Sequence, residues 1–185
     1  MTKPLRLTRE DWLETGLQLL SDLGEQALTL EKLCQATSRT KGSFYHHFQD
    51  RDDFVKALLE YWRSRYTDRI IIAVDRLKDP IAQRRELDRL AANVDNRLEQ
   101  VMRNWSGVDE RVRQTIKQVD DKRIEYLTNL IGKSAQIDSK TASELAIVEY
   151  AAFLGLQYLL PDADSKRIEH FITLVTKIIS SYCSK

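Results

Sequence analysis

An all-helical fold is predicted for this chain of 185 residues. Gly and Pro are scarce, at six and three residues, so long uninterrupted helices form easily and hairpin turns do not. The sequence contains no Asn-Gly or Asp-Gly pair and no sustained alternation of apolar and polar residues. Apolar residues instead recur at spacings of three and four, which indicates about nine amphipathic helices.

The composition is that of an ordinary globular protein, with 42% hydrophobic and 31% charged residues. A net charge of +1 argues against a protein that coats nucleic acid non-specifically, although it allows a local basic patch. No stretch approaches the roughly 18 uncharged apolar residues of a membrane-spanning helix. We therefore expect a soluble, cytoplasmic protein with no membrane partner. Cys34 and Cys183 lie far apart among apolar residues, which favours two buried thiols over a disulfide.

The first predicted helix runs from Thr8 to Leu23. Thr8 is its N-cap, and Asp11 occupies the position of the reciprocal partner in a capping box. Gly24 follows as a C-cap. The spacing of the leucines and of Trp12 predicts a broad buried face on this helix.

Two short helices are predicted next. Thr29 caps the first of them, the residues 37–39 form a break, and Thr40 caps the second, which ends at His47. This arrangement is typical of a helix-turn-helix, in which the second helix lies in the major groove of DNA with its first turn facing the base edges. From Lys32 to His47 the chain carries three basic residues and no acidic one.

The first turn of the second helix carries the side chains that suit this role. Thr40 offers a hydroxyl or backbone N–H to a phosphate, and Lys41 can reach a guanine edge or a phosphate. Gly42 costs a helix about 1 kcal/mol relative to Ala, which makes sense if DNA approaches the backbone closely. Tyr45 suits a phosphate contact, although a place in the core is the alternative. Phe44 and Phe48 are predicted to pack inward.

A long fourth helix is predicted from Asp50 to about residue 78, with a buried stripe that includes Phe54 and Trp62. Pro80 ends it, because proline disfavours helical geometry in the residue before it. We therefore predict an N-terminal DNA-binding domain of residues 1–50 and a C-terminal domain of residues 51–185, connected by this helix.

A single fifth helix is predicted from the stripe between Leu87 and Trp105, with a break at Ser106-Gly107. The following helix continues to Gly132. Its charged segment 120–125, which includes Asp120 and Arg123, is interpreted as a solvated helix face.

The last two helices, within residues 141–183, differ from the others because the segment up to Leu160 is apolar on nearly every side. Such a helix must be buried on every side, and a two-fold dimer achieves this economically. The alternative is that both helices form the core of a monomer. The predicted dimer interface comprises Ala151, Ala152, Gly155, Leu159, Phe171, Ile172, Val175 and Ile179.

The pattern T-x-x-x-L-x-x-x-x-x-x-T-K-G-S-F-Y-H-H-F over residues 29–48, followed by a long helix, resembles the TetR/AcrR family of transcriptional regulators. The resemblance covers the DNA-binding domain, from Thr8 to about Arg65. Where the family usually has Ala and then Gly at the turn, this chain has Thr37 and Ser38. The resemblance implies DNA contacts by Thr29, Thr40, Lys41, Gly42, Ser43, Tyr45, His46, His47 and Arg51. Arg39 is a further candidate for a phosphate contact, but the family commonly has an apolar residue at its position, so packing is the alternative.

The resemblance also implies a homodimer on double-stranded operator DNA, most simply a repressor, with a small-molecule effector in the C-terminal bundle. The candidate pocket residues are Trp62, Tyr66, Trp105, Tyr126, Asn129 and Phe153, for each of which ordinary core packing is the alternative.

Other classes of function are less well supported by the residues. Consecutive helical positions such as His46 and His47 point about 100° apart, so no metal site is predicted, and no cofactor either. No catalytic motif is present, and an enzyme is not expected. The remaining alternative is a helical adaptor whose helix-turn-helix packs on protein.

Overall fold

The computed structural model describes residues 7–135 and 137–183, and within them the chain forms nine helices, one short 3-10 helix (Glu25–Ala27) and no strand. We number the helices in chain order. They are α1 (Arg9–Leu23), α2 (Leu30–Thr37), α3 (Lys41–Tyr45), α4 (Arg51–Asp75), α5 (Pro80–Ala91), α6 (Asn96–Ser106), α7 (Glu110–Ala135), α8 (Ser139–Leu159) and α9 (Ser165–Cys183). The predicted all-helical fold is confirmed. No helix of the described residues combines the length and apolar character needed to cross a membrane.

The predicted signals at the ends of α1 are present. The Thr8 hydroxyl accepts a hydrogen bond from the Asp11 backbone N–H at 3.2 Å, and the Asp11 carboxylate accepts one from the Thr8 backbone N–H at 2.7 Å. Gly24 follows the helix with a φ of 78°, and its N–H donates to the Leu20 carbonyl at 2.9 Å. These contacts satisfy backbone groups that the helix ends leave without partners.

Helix α4 is continuous but not uniform. It consists of an α-helical part (Arg51–Arg63), a π-helical segment (Ser64–Asp68) and a second α-helical part (Arg69–Asp75). The first part lies against α1, and its predicted inward residues Phe54 and Trp62 are fully buried. A π-helical segment inserts an extra residue into the helix and is frequent at functional sites.

The prediction of one helix through residues 87–105 is wrong. The chain turns between Ala91 and Asn96, because Asp95 caps a new helix by accepting a hydrogen bond from the Leu98 N–H at 3.0 Å. The sequence did not indicate this break, because the apolar residues on both sides of the turn keep the spacing of a single helix. As a result, α5 packs on α7 and α9, whereas α6 packs on α1 and α7.

The largest hydrophobic core joins the N-terminal helices to the rest of the molecule. Trp12 and Phe54 belong to the same buried cluster as Leu98 of α6 and Val119 of α7. A second cluster lies between α7, α8 and α9. The two cysteines are free thiols as expected, but each is half-buried rather than fully buried.

Candidate nucleic-acid interface and cavity

The turn between α2 and α3 is held by capping contacts within the chain. The hydroxyls of Thr29 and Thr40 accept hydrogen bonds from the backbone N–H groups of Lys32 (3.2 Å) and Ser43 (3.3 Å), as predicted. Ser38 adopts the left-handed conformation, with φ 52° and ψ 40°, that closes α2. Glycine is favoured at such a position, so this turn stores some backbone strain.

Helix α3 is fixed by two phenylalanines on its inner side. Phe44 and Phe48 are each 2% exposed, and both rings contact Phe54, with centroid distances of 5.5 and 5.0 Å. Trp12 meets the Phe44 ring edge-on at 5.5 Å. These aromatic contacts anchor a helix of five residues that is too short to be stable alone.

The opposite side of α3 faces solvent. Lys41, Gly42 and His46 are exposed, and Tyr45 is 55% exposed, so a core position for Tyr45 is excluded within this chain. A Cβ atom added at Gly42 meets only the Thr40 hydroxyl, at 3.8 Å. The protein itself therefore does not require glycine there.

The other predicted contact residues surround this surface. The Arg51 Nε donates a hydrogen bond to the carbonyl of Leu28 at 3.0 Å, which places Arg51 beside the N-terminus of α2 and Thr29. The His47 Nε2 lies 3.1 Å from the carbonyl oxygen of Leu7, so His47 is half-buried and joins α3 to the start of α1. Ser43 and Arg39 are partly exposed. The side chains thus form a basic, hydroxyl-rich surface around α3.

A cavity of about 90 Å³ lies between α4, α5, α7, α8 and α9. Most of its wall is apolar. It is lined by Tyr66, Thr67, Ile70, Ile71, Leu87, Asp88, Ala91, Val94, Arg123, Tyr126, Leu127, Glu149, Tyr150, Phe153, Leu156, Ile172 and Val175.

Three of the six predicted pocket residues, Tyr66, Tyr126 and Phe153, line this cavity, and three do not. Trp62 and Trp105 belong instead to the largest core cluster, where their size fills space between the N-terminal helices, α6 and α7. Asn129 is exposed on α7. Aromatic character alone did not separate cavity-lining residues from core residues.

Arg123 connects the cavity wall to the π-helical segment. Its Nε donates to the Thr67 hydroxyl at 3.0 Å, and its Nη2 donates to the Tyr66 carbonyl at 3.2 Å. Its Nη1 also donates to Glu99 at 3.0 Å, and Glu99 is 1% exposed. Burial acts to lower the pKa of Arg123, but the charge of Glu99 and the Tyr150 hydroxyl outweigh it and raise the pKa.

The predicted solvated face at residues 120–125 is therefore wrong for two of its members. Arg123 and Asp120, whose side chains are 13% and 26% exposed, belong to a partly buried ion-pair network with Arg103, Glu99 and Tyr150. A signal was available, because Arg123 stands four residues after Val119 and four before Leu127, both buried in α7. The prediction was wrong because it relied on the charge of Arg123 and not on the position of Arg123 in the buried stripe of α7.

A second polar cluster lies at the α5 side of the cavity. Arg84 Nη2 donates to both carboxylate oxygens of Glu149 at 2.6 Å and to the Thr176 hydroxyl at 3.1 Å. The Thr176 hydroxyl donates to Asp88 at 3.3 Å. Burial raises the pKa of Asp88 to about 6, with Arg84 opposing the shift and Glu149 adding to it. Sequence reasoning missed this cluster, although Arg84 and Asp88 are one helical turn apart.

An apolar surface covers the outer sides of α8 and α9. It consists of Ile147, Val148, Tyr158 and Leu159 on α8 and of Leu174, Ile178 and Tyr182 on α9, each at least 45% exposed. We call these seven residues the α8–α9 face. They recur at helical spacing, and a surface of this kind marks an interaction site.

The predicted interface residues divide between this surface and the subunit's interior. Leu159 and Ala151 are exposed, and Ala152, Gly155 and Phe171 are partly exposed. Ile172 and Ile179 are 6% and 5% exposed, because they pack inward from α9 onto α5 and onto α7 and α8. Val175 is half-buried and lines the cavity with Ile172. The outward stripe of α9 is one position away, at Leu174 and Ile178.

No metal-binding group of three or more His, Cys, Asp or Glu side chains occurs within residues 7–135 and 137–183. The His46 and His47 rings lie edge to face with their centroids 5.0 Å apart.

Comparison with known proteins supports the interpretation of the N-terminal region. Residues 13–58 match the family model described as bacterial regulatory proteins, tetR family. The HTH-type transcriptional repressor NemR of Escherichia coli K12 is 38% identical over 63 residues, which are 34% of this chain and 32% of NemR. The sequence match thus spans about a third of each protein and lies in the region of the helix-turn-helix.

Solved structures share the fold over nearly the whole chain. A regulator of the TetR/AcrR family superposes with a TM-score of 0.80 at 21% identity, over 93% of this chain and 97% of its own. AibR, solved in complex with isovaleryl coenzyme A and operator DNA, gives a TM-score of 0.67 at 17% identity, over 90% of this chain and 95% of its own. At these identities the likeness establishes the fold.

Proposed function

We propose that this chain, which belongs to the TetR/AcrR family of transcriptional regulators, is a repressor that binds operator DNA as a homodimer and responds to a small molecule. Residues 1–50 form the DNA-binding domain, of which the first six lie outside the described residues, and residues 51–185 carry the effector and dimer sites. Helix α4 connects the two domains. The role assigned to the chain is regulatory and includes no catalytic step.

The observation that carries the DNA-binding proposal is the division of α3 into two sides. Phe44 and Phe48 are buried, whereas Lys41, Gly42 and Tyr45 face solvent at the first and second turns of the helix. A recognition helix needs this arrangement, because one side must be anchored while the other enters the major groove. The absence of acidic residues from Lys32 to His47 keeps the local potential positive.

The remaining predicted contacts extend this surface along the DNA backbone. Thr29, Thr40 and Arg51 stand at or beside helix N-termini, where hydroxyl, guanidinium and backbone N–H groups suit phosphate oxygens. Arg39, Ser43, His46 and His47 complete the proposed contact surface.

The α8–α9 face supports the proposed homodimer. Seven exposed apolar side chains on the last two helices are costly in water, and the pairing of this face with the same face of a second copy gives a closed two-fold assembly. Two copies would present two α3 helices to successive major grooves, about 34–36 Å apart.

The effector proposal rests on the cavity and on its position. The cavity touches the π-helical segment of α4 through Tyr66 and Thr67, and the first part of α4 packs against α1 of the DNA-binding domain. AibR, whose structure holds both a coenzyme A thioester and operator DNA, supports the combination of effector and DNA sites in this fold. An effector acts only if it prefers the geometry that does not bind DNA.

DNA binding is tested by fluorescence anisotropy with labelled duplexes from the region around the protein's own gene. We expect saturable binding, with an affinity that falls with salt at a slope of about −0.9 per phosphate neutralised. Lys41→Ala should weaken binding by about 1–3 kcal/mol if Lys41 reads a base. Lys117→Ala, which changes an exposed lysine of α7 paired with Asp121, is the matched control and should bind normally.

The alternative, a helical adaptor that binds protein through the same helices, makes the opposite prediction. Such an adaptor would show no salt-dependent binding to these duplexes, and Lys41→Ala would not differ from Lys117→Ala in the DNA assay. Either result would count against the proposed function.

A further inference from the structure

The charged side chains around the cavity form two groups that differ in net charge. In the first group, Arg103 and Arg123 face Glu99 and Asp120, so two positive charges meet two negative ones. All four are connected by hydrogen bonds, with Tyr150 joining the network at 2.9 Å from Arg103 and 2.6 Å from Asp120. This group therefore carries no net charge.

The second group is not balanced. Arg84 faces two carboxylates, Glu149 and Asp88, and gives its hydrogen bonds to Glu149 and to Thr176. Within residues 7–135 and 137–183, the Asp88 carboxylate accepts only the long hydrogen bonds from Thr176, at 3.3 and 3.4 Å. Asp88 is 5% exposed and forms part of the cavity wall. One buried negative charge therefore remains beside the cavity without a direct positive partner among these groups.

The rest of the wall suits the body of a positively charged ligand rather than water. Most lining side chains are aliphatic, and the aromatic rings of Tyr66, Tyr126, Tyr150 and Phe153 are among the others. A buried carboxylate without a counter-charge is unfavourable, and it persists in proteins where it has a function. Aromatic faces attract cations that have been removed from water.

We propose that the cavity takes a small apolar monocation, an amine or a quaternary ammonium compound, whose positive charge is paired with Asp88 while its apolar part contacts the cavity wall. Glu149 is neutralised by Arg84, so Asp88 is the residue that selects for charge. This inference rests on the proposed function, because it names the chemical class of the proposed effector.

The test is direct binding to the DNA-free protein, measured by titration calorimetry with three probes of similar size. Benzyltrimethylammonium is the cation, neopentylbenzene is its uncharged carbon analogue, and 3-phenylpropanoate is the anion. We expect the cation to bind at least about tenfold more tightly than either of the others. Asp88→Asn should remove this preference. It should lower the affinity for the cation about tenfold or more and should leave the affinity for the uncharged analogue unchanged.

Glu169→Gln is the matched control, since Glu169 acts on Asp88 through its charge but is not part of the cavity wall. It should reduce cation binding by less than about threefold. Equal binding of the cation and the uncharged analogue, tighter binding of the anion, or an unchanged cation affinity in Asp88→Asn would overturn the proposal. The absence of binding by all three probes at millimolar concentration would overturn it as well.

A failure of the cation proposal can be distinguished from a failure of the proposed function. The same preparations of wild-type and Asp88→Asn protein are tested for DNA binding without any probe. Intact DNA binding together with a failed cation test removes only the ligand class, whereas absent DNA binding removes the regulator proposal whatever the probes do.

Discussion

Asp88 has a direct consequence for stability at the scale of a single residue. Burial raises its pKa from 3.8 to about 6, Arg84 opposes this shift, and Glu149 and Glu169 add to it. The folded protein therefore binds the Asp88 proton more tightly than the unfolded chain does. The stability contributed by this group is highest below about pH 4 and is lost as the pH rises through about 6.

Asp88→Asn should consequently stabilise the protein at pH 7.5, by about 1–3 kcal/mol, because it removes a poorly compensated buried charge. The gain should shrink as the pH is lowered and should disappear near pH 4, where Asp88 itself is neutral. Urea unfolding at pH 4, 5.5 and 7.5 measures this. Asp121→Asn, at an exposed carboxylate, should show no such gain at pH 7.5. A destabilised Asp88→Asn protein at pH 7.5 would contradict the prediction.

Gly16 shows how closely two helices approach at one residue. A Cβ atom at this position would lie 2.7 Å from the Phe54 ring and 3.1 Å from Leu58, and both side chains are fully buried. Gly16→Ala should therefore lower the free energy of unfolding by about 1–3 kcal/mol, despite the better helix propensity of Ala.

Gly132 provides the matched comparison within α7, because a Cβ atom there meets only the Ala142 Cβ at an ordinary 3.8 Å. Gly132→Ala should raise stability by up to about 1 kcal/mol. Urea denaturation of both variants separates the two effects. Similar gains for both would mean that α1 and α4 are not packed as closely as the structure places them.

At the scale of an element, one residue of α3, Gly42, is expected to have opposite effects on folding and on the proposed DNA binding. Among the residues that the structure describes, only the Thr40 hydroxyl lies near the position of a Cβ atom at Gly42. Gly42→Ala should therefore stabilise the fold, by up to about 1 kcal/mol, but should weaken DNA binding if the duplex approaches the α3 backbone. Chemical denaturation and DNA anisotropy on the same sample test both parts. Unchanged affinity would show that DNA does not come close to this position.

The elements differ in how far the sequence could predict them. Helix ends that depend on local chemistry, such as the Thr8 capping box and the caps at Thr29 and Thr40, were predictable because their partners lie within a few residues. The turn between α5 and α6 was not, because apolar spacing stayed in phase across it. The π-helical segment of α4 was not predictable either, since the Tyr66 carbonyl within it accepts a hydrogen bond from Arg123, a residue 57 positions away.

The candidate sites follow the same distinction. The surface around α3 depends on a continuous stretch of about 20 residues, so its exposed and buried sides could be predicted from spacing alone. The cavity depends on five helices, and its charged residues looked like surface residues in sequence. Arg84, Asp88 and Glu149 acquire a role only when α5, α8 and α9 come together.

At the scale of the whole molecule, one core extends from the N-terminal helices α1 and α4 to α6 and α7. Trp12 and Phe54 share a buried cluster with Leu98 and Val119, and Arg111 of α7 forms an ion pair with Asp52 at the start of α4 at 3.0 Å. A rearrangement of α4 or α7 at the cavity therefore has packed contacts through which it can change the position of α3. The proposed mode of DNA binding also requires that two such units be held together.

The α8–α9 face makes this requirement testable. Ile178 is 61% exposed near the centre of the α9 stripe, and Ile178→Glu should place a charge in the proposed interface. Burying that charge without a partner is unfavourable. In sedimentation at micromolar concentration we therefore expect a dimer for the unmodified chain and a monomer for Ile178→Glu. DNA affinity should fall by about 100-fold or more, because the two half-sites would no longer be bound by one linked molecule.

Ile81→Glu is the matched control for this variant. Ile81 is 60% exposed on α5, outside the α8–α9 face, so the same chemical change should leave both the dimer and the DNA affinity intact. Helical circular dichroism of both variants establishes that each is folded. A folded Ile178→Glu protein that remains a dimer would place the interface elsewhere, because a dimer that buries the centre of this stripe could not accommodate the carboxylate.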